Sequence, residues 1–202
     1  MSRIIHYLLQ NLFPTLIWKV KTREKILYLT FDDGPIPEVT PWVLEQLNIY
    51  NATATFFCIG DNVKKYPDIY SSIISQGHKT GNHTFSHLNG WTIPEKSFLE
   101  NVKLAKEYID SDLFRPPYGK ITRSLIRSLK KEFRIVMWDV LSYDFNSCYN
   151  GDQCYKNVLR HSRQGSIIVF HDSLKAKDRL EFALPQVLDH FSKKGYSFNA
   201  LT

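Results

Sequence analysis

Ile26-Leu27-Tyr28-Leu29-Thr30-Phe31-Asp32-Asp33-Gly34-Pro35 runs as an apolar strand and stops on two adjacent carboxylates before a Gly-Pro turn. Side by side at a loop mouth, two carboxylates raise each other's pKa unless a cation offsets the repulsion. One of the pair is therefore a candidate metal ligand and the other a candidate general base. The dipeptide by itself also fits an ordinary Asp-Gly turn.

Outward from this strand, apolar runs alternate with amphipathic stretches to the end of the chain. Strands are predicted over 26–31, 53–59, 78–82, 113–115, 134–139, 166–171 and 196–199. Helices are predicted between them, over 41–50, 63–76, 94–109, 122–132, 153–163 and 179–194, with Pro41 and Pro94 as first-turn residues and Gly77 as a stop. Seven strands with intervening helices argue for a parallel βα barrel. No linker divides the chain and nothing repeats at a fixed period. A lead segment over 1–24 precedes one domain over 25–202.

His83-Thr84-Phe85-Ser86-His87 places two imidazoles at i and i+4, a spacing that brings both to one side of a helical turn or tight loop. Two histidines so spaced also occur on surfaces and in cores. Here they follow Gly81-Asn82 and precede Asn89-Gly90, at a strand-loop junction. With Asp33 they would make a His2Asp set that leaves coordination positions open, as a catalytic metal requires.

Three more stretches follow in order: Arg115-Pro116-Pro117-Tyr118-Gly119, Trp138-Asp139-Val140-Leu141-Ser142-Tyr143-Asp144-Phe145, and Ile167-Ile168-Val169-Phe170-His171-Asp172. Together with the Asp pair and the His pair, they make the chain resemble the polysaccharide deacetylases, carbohydrate esterases of family four with the nodulation-protein-B homology domain. The resemblance spans about residues 25 to 200. It implies an incomplete, distorted (β/α)7 barrel with a groove open to a polymer. The candidate site residues from Asp32 to His171 fall at or beyond the C-terminal ends of predicted strands, the face on which βα barrels build active sites.

The expected chemistry is hydrolysis of an N-acetyl group on an amino sugar of a polysaccharide or oligosaccharide. A divalent ion on Asp33, His83 and His87 would activate water and polarise the acyl oxygen; zinc is the first choice, with cobalt, nickel or manganese as alternatives. Asp32 would take the proton of that water, and His171 would protonate the departing amine. The resemblance further implies that the Tyr118 N–H receives the oxyanion, that Arg115 keeps Asp32 ionised, and that Asp144 orients and charges His171. It also implies that Pro116, Pro117 and Tyr118 border the substrate. Two positions depart from the family pattern: Phe145 stands where tryptophan is usual and Phe170 where leucine is common. Both are expected to keep an apolar wall for the acetyl methyl. Trp91, Tyr118 and Tyr143 are candidate sugar-stacking rings. A relative acting on another amide, a cyclic ureide or an O-acetyl ester is the rival within enzymes, and a carbohydrate-binding pseudoenzyme is the rival outside them.

The composition is that of one globular domain: 202 residues, 43% apolar, with nine Gly and nine Pro. The net charge of +6 comes from lysines and arginines scattered over helix faces, so no nucleic-acid partner is expected. Three cysteines are too few for a disulfide framework. Cys58 reads as a packing residue, and free thiols are the expectation for Cys148 and Cys154. In the lead segment, Ile5, Leu8, Leu9, Leu12, Leu16 and Ile17 recur at helical spacing but are interrupted by His6, Gln10, Asn11 and Pro14. This predicts a helix packed on the domain or lying on a membrane surface, neither a transmembrane span nor a cleaved signal peptide. A cytoplasmic or membrane-peripheral monomer is the resulting expectation.

Overall fold

The computed structural model describes residues 10–202. Of the lead-segment residues, Ile5, His6, Leu8 and Leu9 lie outside the described part. The strands are β1 (Ile26–Asp32), β2 (Thr55–Cys58), β3 (Lys79–Asn82), β4 (Leu113–Phe114), β5 (Arg134–Ile135), β6 (Val140–Leu141), β7 (Ile167–His171) and β8 (Ser197–Phe198). All their pairings are parallel, in the order β5-β4-β3-β2-β1-β7-β6, with β8 added to the start of β1. The sheet curls into a (β/α)7-type barrel in which β5 and β6 do not pair.

The helices are α1 (Thr40–Ile49), α2 (Gly60–Lys65), α3 (Pro67–Ser75), α4 (Glu95–Lys106), α5 (Arg123–Leu129), α6 (Gly151–His161) and α7 (Lys177–Lys193). The single helix predicted over 63–76 is two helices. Pro67 has no N–H to continue the first and is preorganised to start the second. α6 starts earlier than predicted because Asn150 caps it reciprocally with Gln153: Asn150 Oδ1 accepts from the Gln153 N–H at 2.8 Å, and Gln153 Oε1 from the Asn150 N–H at 2.9 Å.

Strand β1 organises the barrel through its period of two. Leu27, Leu29 and Phe31 face outward, into the core cluster shared with Leu180, Leu184 and Leu188 of α7. The Tyr28, Thr30 and Asp32 side chains face inward, where Tyr28 meets Phe57, Leu113, Val136 and Ile167. The parallel register sets Phe31 beside Phe170 and Asp32 beside His171. Two candidate catalytic groups are thus aligned on the inner face by backbone pairing.

The run predicted as one strand over 134–139 divides into β5 and, after Asp139, the additional strand β6. Between them, residues 16–20 of the lead segment insert as extended chain: residues 10–12 are helical, but the helix predicted to run on through Leu16 and Ile17 stops at Leu12. The Ile17 N–H donates to the Ile135 carbonyl at 2.9 Å, the Met137 N–H to the Ile17 carbonyl at 2.7 Å, and the Val20 N–H to the Gly165 carbonyl at 2.9 Å. Ile17 bridges Val136 and Lys19 bridges Ser166, while Leu16 and Trp18 are buried. An unpaired strand edge exposes backbone groups that need partners, and this segment supplies them. Among the described residues no helix is long and apolar enough to cross a membrane.

Candidate active site

Loops at the C-terminal ends of β1, β3, β4, β6 and β7 converge on a cavity of about 270 Å³, whose lining includes Asp32, Asp33, His83, His87, Tyr118, Phe145 and His171. Of the non-glycine residues with positive φ, Asp33 (85°), Thr84 (64°), His87 (53°), Tyr118 (61°) and Tyr143 (66°) all lie in these loops. Such conformations are unfavourable for residues with a Cβ and persist where surrounding contacts enforce them. For Asp33 the contacts are visible. Asn62 donates to its carbonyl at 2.8 Å, and buried Asp172 holds the next residue by accepting from the Gly34 N–H at 3.1 Å and from Thr40 Oγ1 at 2.6 Å. Burial, followed by the nearby Asp33 charge, pushes the Asp172 carboxyl up to about 8. A Cβ on Gly34 would lie 1.9 Å from Asp172 Oδ2, so this position admits only glycine.

Asp33, His83 and His87 each point one ligand atom at a common point, with all three atoms within 4.8 Å of one another. Asp33 Oδ1 lies 3.1 Å from His87 Nε2 and 3.8 Å from His83 Nε2. Although it is buried and close to both rings, no well-directed hydrogen bond reaches this oxygen. Burial by itself would raise the Asp33 carboxyl, but the His87 contact and the neighbouring imidazoles outweigh it and hold the group far below the usual carboxylate range. His83 is pushed down to about 4 by burial, so its imidazole is neutral at pH 7. Its Nδ1 lies 2.7 Å from the Arg115 carbonyl. A carbonyl can only accept, so Nδ1 carries the proton and Nε2 presents a lone pair toward Asp33. A buried carboxylate oxygen without a hydrogen bond, beside a neutral imidazole of fixed tautomer, is a donor set that fits a divalent cation.

Asp32 stands apart from this trio, held by a fully buried guanidinium. Arg115 Nη1 donates to Asp32 Oδ1 at 2.6 Å and to Thr30 Oγ1 at 2.8 Å. The rest of the fork donates to the carbonyls of Val136 at 3.3 Å and Met137 at 2.9 Å. The guanidinium carbon sits 4.1 Å from the Phe57 ring centroid. Such a cradle satisfies the donors of a charge that is costly to bury and fixes one oxygen of a carboxylate that also lines the cavity.

Across the cavity, His171 Nδ1 lies 2.7 Å from Asp144 Oδ1, and the His171 backbone N–H donates to Asp144 Oδ2 at 2.8 Å. Ser142 Oγ donates to Asp144 Oδ1 at 2.9 Å, and Arg179 Nε donates to the Asp144 carbonyl. Burial works against charging His171, but the Asp144 carboxylate dominates and raises the imidazole to about 9. At neutral pH the ring carries two protons, and Nε2–H is available to the cavity. The folded value lies above the usual 6.5, so the stability from this pair is fully present below about pH 6.5 and lost as pH rises through about 9. Turnover that needs the proton should fall over the same alkaline range. A rate profile on an amide substrate between neutral pH and pH 10 checks this, and an alkaline limb unchanged in Asp144→Asn would contradict it.

Phe145 reaches the cavity, its ring centroid 5.0 Å from His171, beside Trp138, Leu141 and Val169. Phe170 does not reach it. It is fully buried, with its centroid 6.1 Å from that of Phe31 beneath the helices, because neighbours on a strand face opposite ways and His171 takes the inner face. The apolar wall expected of Phe170 comes instead from Val169 and Leu141. Pro116 and Pro117 are buried and shape the turn that presents Tyr118, without lining the cavity. Tyr118 Oη lies 3.1 Å from His87 Nδ1. Asp139 lies not at a C-terminal strand end but just before β6, where it accepts from Ser166 Oγ at 2.5 Å. Tyr143 stacks on Tyr149 with centroids 5.0 Å apart. Cys58, Cys148 and Cys154 are free.

Of the residues that cradle the charged pairs, Thr30 and Ser142 lie inside quoted motif stretches but were given no role there, and Phe57 and Arg179 lie outside them. The inward parity that Thr30 shares with Asp32 on β1 is the one sequence signal that could have found any of them. Lys175 also lines the cavity, from a stretch with no pattern to mark it.

Comparison with known proteins agrees with this geometry. A family model described as polysaccharide deacetylase matches residues 19–133. A peptidoglycan-N-acetylglucosamine deacetylase of Bacillus cereus is 33% identical over 198 residues, covering 94% of this chain and 93% of that protein. A chitooligosaccharide deacetylase of Azorhizobium caulinodans is 33% identical over 162 residues, covering 76% of this chain and 77% of its own. The crystal structure of a peptidoglycan N-acetylglucosamine deacetylase in complex with 4-naphthalen-1-yl-N-oxidanyl-benzamide superposes with a TM-score of 0.87 at 31% identity, over 93% of this chain and 91% of that one.

Proposed function

Because this chain belongs to the polysaccharide deacetylase family, we propose that it removes the N-acetyl group from glucosamine residues of a cell-wall-type glycan, with Asp33, His83 and His87 holding zinc. Nitrogen and oxygen donors suit zinc, and cobalt, nickel or manganese are the alternatives. The observation that carries this reading is the arrangement of one cavity: a cation-fitting trio, with a carboxylate fixed by Arg115 beside it and an imidazolium fixed by Asp144 across from it. When bound, a divalent ion lowers the pKa of water and draws charge from the acyl oxygen.

The remaining work falls to the chain's own groups. The Asp32 oxygen not taken by Arg115 accepts a proton from the attacking water. The backbone N–H of Tyr118, in a turn held at φ 61°, is the proposed donor to the oxyanion. The His171 Nε2–H protonates the nitrogen as the C–N bond breaks, because an amine leaves poorly as an anion. Asp144 keeps that imidazole oriented and charged. A carbohydrate-binding pseudoenzyme would have no use for both charged pairs.

The test is parallel measurement of acetate and free amine on peptidoglycan, chitooligosaccharides and an O-acetylated glycan. The reading requires one amine per acetate. Acetate without amine would move the protein to the ester reading.

With Phe145 in the wall, the acyl site should accept a methyl group and crowd longer chains. A hydrophobic pocket discriminates by about 1–3 kcal/mol per methylene, so N-acetyl should be preferred over N-butanoyl glucosamine oligomers by at least about tenfold. Phe145→Ala should erode that preference while leaving the metal in place. Matched kcat/KM values on the two oligomers check this, and equal rates in the wild type would remove Phe145 from the wall.

A further inference from the structure

The loop after His87 ends on Trp91, whose side chain is 64% exposed, and the turn after Arg115 presents Tyr118 at 61%. Single exposed aromatics are ordinary. These two, however, flank one ammonium: Lys120 Nζ lies 5.4 Å from the Trp91 centroid and 5.8 Å from that of Tyr118. Lys120 takes part in none of the ion pairs found among the described residues. The Tyr118 ring in turn packs on His87, with centroids 4.6 Å apart. A continuous ledge thus runs from a ligand atom of the trio, over Tyr118 and Lys120, to Trp91.

The ledge is also built to hold its shape. Trp91 Nε1 donates to the Ile121 carbonyl at 3.3 Å, and its backbone N–H to Asn89 Oδ1 at 3.0 Å. The two loops touch so closely that a Cβ on Gly90 would lie 2.5 Å from the Lys120 carbonyl oxygen. Rings fixed before binding lose little entropy when a ligand settles on them.

We propose that Trp91, Lys120 and Tyr118 form a subsite for the sugar next to the one being deacetylated, and that this sugar is a pyranose bearing a carboxylate substituent. The apolar face of the ring rests on the aromatic side chains, and the carboxylate meets the ammonium. This rests on the deacetylase reading and narrows it to an acidic, alternating glycan.

Three substrates separate the possibilities: 4-nitrophenyl acetate, which fills only the acetyl pocket; a neutral N-acetylglucosamine tetramer; and a tetrasaccharide of equal length with carboxylates on alternate sugars. Trp91→Ala should lower kcat/KM on both tetramers by about tenfold and leave 4-nitrophenyl acetate unaffected, with Trp91→Phe restoring most of the loss. Lys120→Met should lower it about fivefold on the acidic tetramer alone, and added salt should remove that difference. Equal effects of Trp91→Ala on all three substrates, or none on any, overturn the subsite. Equal effects of Lys120→Met on the two tetramers overturn its acidic specificity. Calorimetric titration of both tetramers into Asp32→Asn protein, with and without Trp91→Ala, reads binding apart from turnover. Loss of tetramer binding in the Trp91 variant supports the subsite even if the wild type releases no acetate, and unchanged binding overturns it.

Discussion

Asp32→Asn should lower kcat on an N-acetylated glycan by about 10²–10⁴ while leaving bound metal unchanged, the scale on which a positioned general base contributes. The amide is nearly the same shape, and its oxygen can still accept from Arg115 Nη1, which now donates to Asp32 Oδ1 at 2.6 Å. What is lost is basicity, together with the charge that balances a fully buried guanidinium. Both variants leave that guanidinium charge unbalanced, which costs up to about 3–5 kcal/mol, and Asp32→Ala, which also removes the acceptor of the Nη1 hydrogen bond, should melt the earlier of the two. Steady-state rates, metal content and thermal melts on the two variants check this together. An Asn variant within tenfold of wild type would show that the proton goes elsewhere.

His83→Ala should remove the bound ion and with it all measurable turnover. His83 is the most buried of the three proposed ligands, and its Nδ1 contact to the Arg115 carbonyl fixes the lone pair that faces Asp33. Removal strips one of three donors and leaves that carbonyl without its ring partner, yet the main core lies beneath the helices around β1, away from this loop. The variant should thus stay folded, with a far-ultraviolet spectrum like that of wild type. A folded His83→Ala protein that keeps one equivalent of metal would contradict the ligand set. Activity that survives metal loss would contradict the mechanism.

The residues of this site were legible because chemistry-bearing types stand at strand ends, where a parallel sheet must present them on one face. Asp32, His83, Arg115 and His171 each close or directly follow a strand. What could not be read depends on contacts distant in sequence or on very short elements. Val140-Leu141 is too short a strand for alternation to mark, so a strand predicted over 134–139 ends on Asp139 and puts it at the wrong end of the barrel. The extended path of Ile17 follows from an open seam between β5 and β6 that no local spacing reveals, so the helical spacing holds at residues 10–12 and fails at Leu16 and Ile17. Phe170 is the instructive miss. Once His171 is assigned to the inner face, the period of two sends its neighbour to the helices, so the correction was available from parity alone. The Thr30 and Phe57 contacts to Arg115 join β1 and β2 to the residue that follows β4 and could be found only in the folded chain.

In the proposed mechanism one cavity couples a divalent ion on Asp33, His83 and His87 to hydrolysis of an N-acetyl group. The most direct measurement of that coupling is acetate release from peptidoglycan by the same protein sample in three states: as purified, after chelation and dialysis, and after addition of one equivalent of zinc. The expected result is acetate release with an equal yield of free amine, abolished by chelation and restored by stoichiometric zinc in the wild type but not in His83→Ala. Acetate release that is indifferent to chelation, or a zinc-loaded wild type that binds the glycan and releases no acetate, would contradict it.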